Sequence, residues 1–284
     1  MKNAYQETMF ILKKYNITAN KSLGQNFLIN DEVIEKTVES ANITDEDLVI
    51  EIGPGLGTLT NELLQRAKKV IAVELDGRMI NILKDRFSLY TNFEIINQDI
   101  LKVDLKTIIE NEKVNNNIKT VKIVANLPYY ITTPIIMKLL EDNLDIESIT
   151  VMVQKEVAKR LTTDPGNKLA GAITYSVNYY CEASEMVEVP KESFVPAPEV
   201  ESEVIKLKLR KNPPVNVKNE EIFFKLIKAS FMQRRKTFLN GVSNSGLASK
   251  EKIKTILESL NINENVRGEN LSLEQFAQIS NLIC

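Results

Sequence analysis

Four short apolar runs, each the length of a strand and each closed by a polar or glycine-rich turn, organise the first half of the sequence: Leu48 to Ile52, Val70 to Val73, Phe93 to Ile96 and Val121 to Ala125. Stretches with helical spacing of apolar residues separate them, among them Thr58 to Ala67 and Met79 to Phe87. Strands apolar on both faces need cover on both faces, and intervening helices supply it. The alternation therefore predicts βαβ units and an α/β fold with a parallel, doubly wound sheet. Asp31 to Ala41 reads as a helix ahead of the first strand, with Asn30 or Asp31 as its N-cap. Pro134 suits the first turn of a helix running through Ile135 to Leu140.

Past Ser148 the pattern changes. Ile149 to Val153 reads as a strand and Val157 to Thr162 as a helix. Ala172 to Tyr180 and Glu185 to Val189 read as strands, and Val204 to Leu209, alternating apolar with basic residues, as an edge strand. Asn212-Pro213-Pro214 is the strongest punctuation in the chain. The expected boundary lies beside it, dividing residues 1–211 from a helical domain of 212–284. That second domain shows helical patterns at Glu221 to Leu239, Lys250 to Leu260 and Leu273 to Leu282.

Composition removes several chemistries. The chain has no histidine, which excludes Ser-His-Asp and Cys-His triads, histidine bases and histidine metal sites. Two cysteines, Cys181 and Cys284, support neither a disulfide framework nor a four-thiolate zinc site, and no metal is expected. The first 30 residues hold no apolar run of signal-peptide length, so the expectation is a soluble, cytoplasmic protein without a membrane partner. A net charge of −2 conceals a concentration: ten basic residues stand against Glu220 and Glu221 between Val204 and Asn240. The Gln233-Arg234-Arg235-Lys236 cluster lies there, and such asymmetry suits a basic surface facing a polyanion.

Four strand ends carry chemistry. The turn Glu51-Ile52-Gly53-Pro54-Gly55-Leu56-Gly57-Thr58 lets backbone approach a ligand at a helix N-terminus. Thr58 and Thr60 stand where a dinucleotide fingerprint needs glycine, and no P-loop occurs. Glu74, at the end of the second strand, is placed to accept ribose hydroxyls, and Asp99, after the third, an adenine amino group. Asn126-Leu127-Pro128-Tyr129 ends the fourth strand. An amide oxygen and a backbone carbonyl there suit the two N–H groups of an adenine amino nitrogen, and Tyr129 suits the face of a flipped base. Such chemistry needs no histidine base, because the proton becomes acidic once the nitrogen is alkylated.

These residues resemble the KsgA-type family of small-subunit ribosomal RNA adenine N6,N6-dimethyltransferases, from about Lys21 to the C-terminus. The resemblance is carried by Lys21-Ser22-Leu23-Gly24-Gln25-Asn26-Phe27-Leu28, Glu51 to Gly57, Val73-Glu74-Leu75-Asp76, Asn126 to Tyr129, the loop Phe194-Val195-Pro196-Ala197-Pro198-Glu199-Val200-Glu201-Ser202, and Gln233 to Thr237. It implies a Rossmann-like class I methyltransferase sheet with a small all-α C-terminal domain that binds RNA. It further implies S-adenosylmethionine as cofactor, held by Asn26, Leu28, Gly53, Gly55, Glu74, Leu75, Asp99, Ile100 and Asn126. Asn126, Leu127, Pro128 and Tyr129 would activate the base, with Phe194 on its other face, while Arg234, Arg235 and Lys236 would meet RNA. The implied substrate is a pair of adjacent adenosines near the 3′ end of 16S ribosomal RNA, in the small subunit or its precursor, dimethylated during ribosome biogenesis by a monomeric enzyme. Two positions depart from the family pattern: Ala170 stands where a tyrosine is expected, and Glu199 where a lysine is usual. A resistance methyltransferase acting on large-subunit RNA, a non-catalytic factor with the same fold and a nicotinamide oxidoreductase are the competing readings. Leu127 and Pro54-Gly55-Leu56 weigh against the first, the intact tetrad against the second, Thr58 and Thr60 against the third.

Overall fold

The structure, a computed structural model, describes residues 3–20, 23–233 and 235–284. Lys21, Ser22 and Arg234 lie outside the described residues. The chain divides into two compact units, Met1–Ala158 with Ser184–Leu209, and Lys159–Ala183 with Arg210–Cys284. The second break, between Leu209 and Arg210, lies two residues before the boundary expected from the sequence, and residues 159–183, assigned to the first domain on sequence, group with the C-terminal helices.

Five strands form the parallel part of the main sheet: β2 (Asp47–Ile52), β3 (Lys69–Glu74), β4 (Phe93–Asn97), β5 (Thr120–Asn126) and β6 (Ser148–Gln154). Their spatial order is β4-β3-β2-β5-β6, followed by β9 (Ser202–Leu209), antiparallel to β6, and then β7 (Cys181–Val189). Leu48, Val49 and Ile50 of β2 are wholly buried, as a central strand covered on both faces must be. The chain order reverses between β2 and β5, the place where doubly wound sheets open a crevice at their carboxyl ends. Basic residues in β9 had suggested an edge, but the strand lies inside the sheet. Lys206 reaches past it to the carbonyl of Ser40, at 2.8 Å, satisfying the end of helix α2 (Asp31–Ser40). Asn30 caps that helix as expected, its side chain accepting from Glu32 and Val33 N–H.

Before α2, helix α1 (Ala4–Lys14) leads into an arm whose strand β1 (Phe27–Leu28) pairs antiparallel with β8 (Phe194–Val195). Phe27, Leu28 and Phe194 belong to one buried cluster with Val33, Leu59 and Leu83. Helices α3 (Thr58–Leu64), α4 (Gly77–Arg86), α5 (Leu105–Asn116) and α6 (Thr132–Glu141) follow β2, β3, β4 and β5 respectively, and α7 (Lys155–Thr162) follows β6.

The second unit is helical. Its helices are α8 (Ala172–Tyr180), α9 (Glu220–Phe231), α10 (Phe238–Asn244), α11 (Lys250–Ser259) and α12 (Leu273–Ile283). Residues 172–180 had read as a strand because Ile173, Thr174, Tyr175, Val177 and Tyr179 favour one. Burial of several faces erases the helical period, and packing overrides propensity. The Tyr175 ring meets Phe276 edge-on at 4.7 Å, and its hydroxyl donates to the carbonyl of Leu271 at 2.6 Å. The single helix expected over 221–239 is two, α9 and α10. Arg235 and Lys236 are exposed in the turn between them rather than on a helix. No helix among the described residues is long and apolar enough to cross a membrane.

Candidate active site

A cleft opens at the carboxyl ends of the parallel strands. All nine residues expected to hold the cofactor line it: Asn26, Leu28, Gly53, Gly55, Glu74, Leu75, Asp99, Ile100 and Asn126. Leu127, Pro128 and Tyr129 line it too. Residues separated by up to 103 positions thus converge, because strand ends in register bring their following turns to one edge and the N-terminal arm reaches the same edge.

The glycine turn divides its labour. Gly53 has φ +66°, and a Cβ built on it would meet nothing, so the backbone there borders open cleft. Gly57 has φ +83°, and a Cβ would lie 2.6 Å from the Phe87 ring and 2.8 Å from Leu83. One glycine leaves room for a ligand; the other lets α3 start against α4. Gly55 instead donates its N–H to Glu74 Oε2 at 3.1 Å, tying the turn to the second strand end.

Glu74 is 7 % exposed and receives a second N–H, from Asp76, on Oε1 at 2.8 Å. Burial pushes its carboxyl above the usual range against the lowering of these N–H groups. Asp76 beside it is held low, chiefly by Arg78, whose guanidinium bonds it in two places. Gln25, from the arm, donates to Asp76 at 2.9 Å and so carries the arm to the cleft. Asp99 spends Oδ1 on the N–H of Leu101, at 3.0 Å.

Glu51 stands in the glycine turn but is not among the residues expected to hold the cofactor. The structure places it on the lining of the cleft, 1 % exposed, accepting the Thr60 hydroxyl at 2.6 Å. Burial raises its carboxyl to about 8, helped by the charge of Glu74. The signal was present: a carboxylate inside an otherwise apolar strand, followed nine residues later by a threonine one turn into a helix.

At the end of β5 the Asn126 amide nitrogen donates to the carbonyl of Asn26, 3.3 Å away. Leu127 N–H is bound to the carbonyl of Met152 at 3.1 Å. Ile131 N–H and the Thr132 hydroxyl both turn to the carbonyl of Pro128, so the loop's own bonds leave the Leu127 carbonyl aside. The hydroxyls of Tyr129 and Ser202 share a hydrogen bond of 2.5 Å, which fixes the ring against β9. Burial raises the Tyr129 phenol, against a lowering by Ser202.

Phe194 departs from expectation. Its ring is 2 % exposed, packed in the cluster with Leu28 and Val189, and it does not line the cleft. Pairing with β1 sets Phe194 opposite Leu28 and draws the side chain into that core. Ala170 is wholly buried in the second unit, and Glu199 is exposed.

The cleft therefore offers two carboxylates at successive strand ends, an open glycine turn and an amide with its donor end engaged. That donor set fits a nucleoside-bearing cofactor. Comparison with known proteins agrees on the family. The model of the ribosomal RNA adenine dimethylase family matches residues 16–284. The chain is 48 % identical over 281 residues to the ribosomal RNA small subunit methyltransferase A of Clostridioides difficile, covering 99 % of this chain and 96 % of that protein. It is 50 % identical to the protein of the same name from Bacillus pumilus, covering 97 % and 95 %. A crystal structure of a dimethyladenosine transferase from Plasmodium falciparum superposes with TM-score 0.74 at 28 % identity, over 89 % of this chain and 95 % of that one. The 23S rRNA methyltransferase ErmE shares the fold, with TM-score 0.68 at 24 % identity over 91 % and 99 %. On that match and those identities, the chain belongs to the ribosomal RNA adenine dimethylase family, a family of methyltransferase enzymes.

Proposed function

We propose that this enzyme transfers methyl groups from S-adenosylmethionine to the N6 of two adjacent adenosines near the 3′ end of 16S ribosomal RNA, within the small ribosomal subunit or its precursor. The observation that carries the reading is the orientation of Asn126, whose donor end is engaged by Asn26 while its oxygen stays available.

S-adenosylmethionine supplies an electrophilic methyl group. Glu74 and Asp99 hold its nucleoside part, the one through its remaining lone pairs toward the ribose, the other toward adenine. Gly53 leaves backbone open to the ligand, and Leu75 and Ile100 supply apolar contact. On the substrate side, the Asn126 Oδ1 and the Leu127 carbonyl accept the two N–H groups of the target amino nitrogen. That pair turns the nitrogen lone pair out of the ring system, where it is delocalised and unreactive. Tyr129, its hydroxyl held by Ser202, presents a ring to the flipped base. The rate then comes mainly from placement of nucleophile and methyl group near contact. The proton leaves after the bond has formed, so no strong base is required. Phe194 supports the rim by seating Leu28, its partner across the β1–β8 pair. Arg234, Arg235 and Lys236 meet RNA phosphate from the second unit, and a cytoplasmic monomer is the working form.

The test is methyl transfer from labelled S-adenosylmethionine to undermethylated ribosomal particles, with small and large subunits offered separately, followed by nucleoside mass spectrometry. Dimethyladenosine in small-subunit RNA is the expected product. Label confined to large-subunit RNA would replace this substrate with the resistance-type one. Cofactor binding with no label in either subunit would leave a non-catalytic factor.

A further inference from the structure

The aromatic residue after the tetrad has no role in the reaction as described. Tyr130 lines the cleft, yet it is 59 % exposed, while Asn126, Pro128 and Tyr129 are half-buried and Leu127 is buried. The loop therefore climbs from the floor of the cleft to its mouth, and Tyr130 is where it surfaces. One edge of its ring is backed by Gly24 of the arm: a Cβ built on that glycine would lie 3.4 Å from Cδ1.

Tyr129 and Tyr130 open a short 3-10 turn, Tyr129–Ile131. At three residues per turn, consecutive side chains point about 120° apart. The two rings cannot serve the same face of one base. Tyr129 is turned inward and anchored through its hydroxyl to Ser202. An exposed ring at the mouth of a single-stranded RNA site offers a stacking surface that any base accepts. Phe194, the other aromatic expected to meet a base, is buried and off the cleft.

We propose that Tyr130 is a stacking platform for the nucleotide next to the flipped adenosine, holding the strand at the mouth of the cleft while Tyr129 and Asn126 hold the target inside. The proposal rests on the reading above that the cleft takes an adenosine from RNA. It makes Tyr130 a substrate-positioning residue, and it gives the neighbouring adenosine of an adjacent pair a defined seat while the first is in the pocket.

The test compares Tyr130→Ala and Tyr130→Phe in methyl transfer to immature small subunits, alongside binding of a short RNA with 2-aminopurine flanking the target adenosine, on the 5′ and 3′ sides in turn. Tyr130→Ala is expected to raise KM for RNA about tenfold or more, the equivalent of ~1.4 kcal/mol. Its kcat and its KM for S-adenosylmethionine should stay within about twofold of wild type, because a flanking contact is released without touching the reacting atoms. Tyr130→Phe should restore the wild-type KM. The 2-aminopurine fluorescence should be quenched on one side by wild type and Tyr130→Phe and not by Tyr130→Ala. Labelled RNA with an unchanged KM in Tyr130→Ala, or equal quenching by all three proteins, would overturn the platform alone. A wild-type enzyme that labels no ribosomal RNA would overturn the proposed substrate, and the platform with it.

Discussion

Asn126 keeps its orientation through one contact with the arm, and that makes the residue sensitive to both its own side chain and its support. Asn126→Ala is expected to lower methyl transfer by about 100-fold or more, the scale seen for an oriented polar group aimed at the reacting centre. Circular dichroism and thermal melting should be unchanged, and turnover near wild type would remove the residue from the chemistry. Ser202 is the corresponding support for Tyr129. Ser202→Ala and Tyr129→Phe each delete one half of the same hydrogen bond, at a cost of about 1 kcal/mol in stability. Their effects on kcat/KM should be strongly non-additive in the double variant; simple additivity would show that the bond does not position the ring. Glu51 is a residue of a different kind, a carboxyl raised to about 8 by burial. The folded state binds its proton more tightly than the unfolded chain, so this group's contribution to stability is full below its ordinary value of 4.5 and falls as pH rises toward about 8. Urea melts of the wild type should weaken over that window by up to about 1.4 kcal/mol per pH unit, and those of Glu51→Gln should be flatter. Parallel profiles would mean that the carboxyl stays ionised in the fold.

The turn between β2 and α3 is the element on which the site depends most. Gly57→Ala drives a methyl group into Phe87 and Leu83 and strains a left-handed backbone, at a cost of about 2 kcal/mol or more, read as a lower urea midpoint. An unchanged midpoint would mean that α4 yields without loss. The elements around this turn were legible because β2, β3 and β5 are apolar on both faces, a pattern no amphipathic helix shares. The cleft residues were legible for the same reason, since a register of strand ends places the following residues by geometry alone. Other elements were hidden. Residues 172–180 alternate apolar and polar side chains as a strand would, and burial of Thr174 and Ser176 beside Ile173, Tyr175 and Val177 removes the exposed polar face that marks a helix. The basic residues of β9 looked solvent-facing, whereas Lys206 is consumed by the end of α2. Phe194 was expected at the site from the family resemblance, and its burial was hidden because the pairing with Leu28 depends on an arm far away in sequence.

Across the molecule, the acidic average masks a basic stretch that includes Arg235 and Lys236, both exposed in the α9–α10 turn. Reversal of Arg234, Arg235 and Lys236 to glutamate should weaken RNA binding and reduce the slope of log affinity against log salt by about 2, one phosphate contact at a time. Equal slopes would take this turn out of the interface. The pairing of β1 with β8 carries a further consequence, for the order in which a nascent chain becomes active. Phe27 waits for Val195, and Tyr129 for Ser202, before the arm and the tetrad are held in place. Synthesis runs from the N-terminus, so a ribosome delivers both strand-end carboxylates and the tetrad well before either latch exists. The growing polypeptide has its cleft side chains early and their arrangement late, since neither latch can close before residues 195 and 202 have left the exit tunnel.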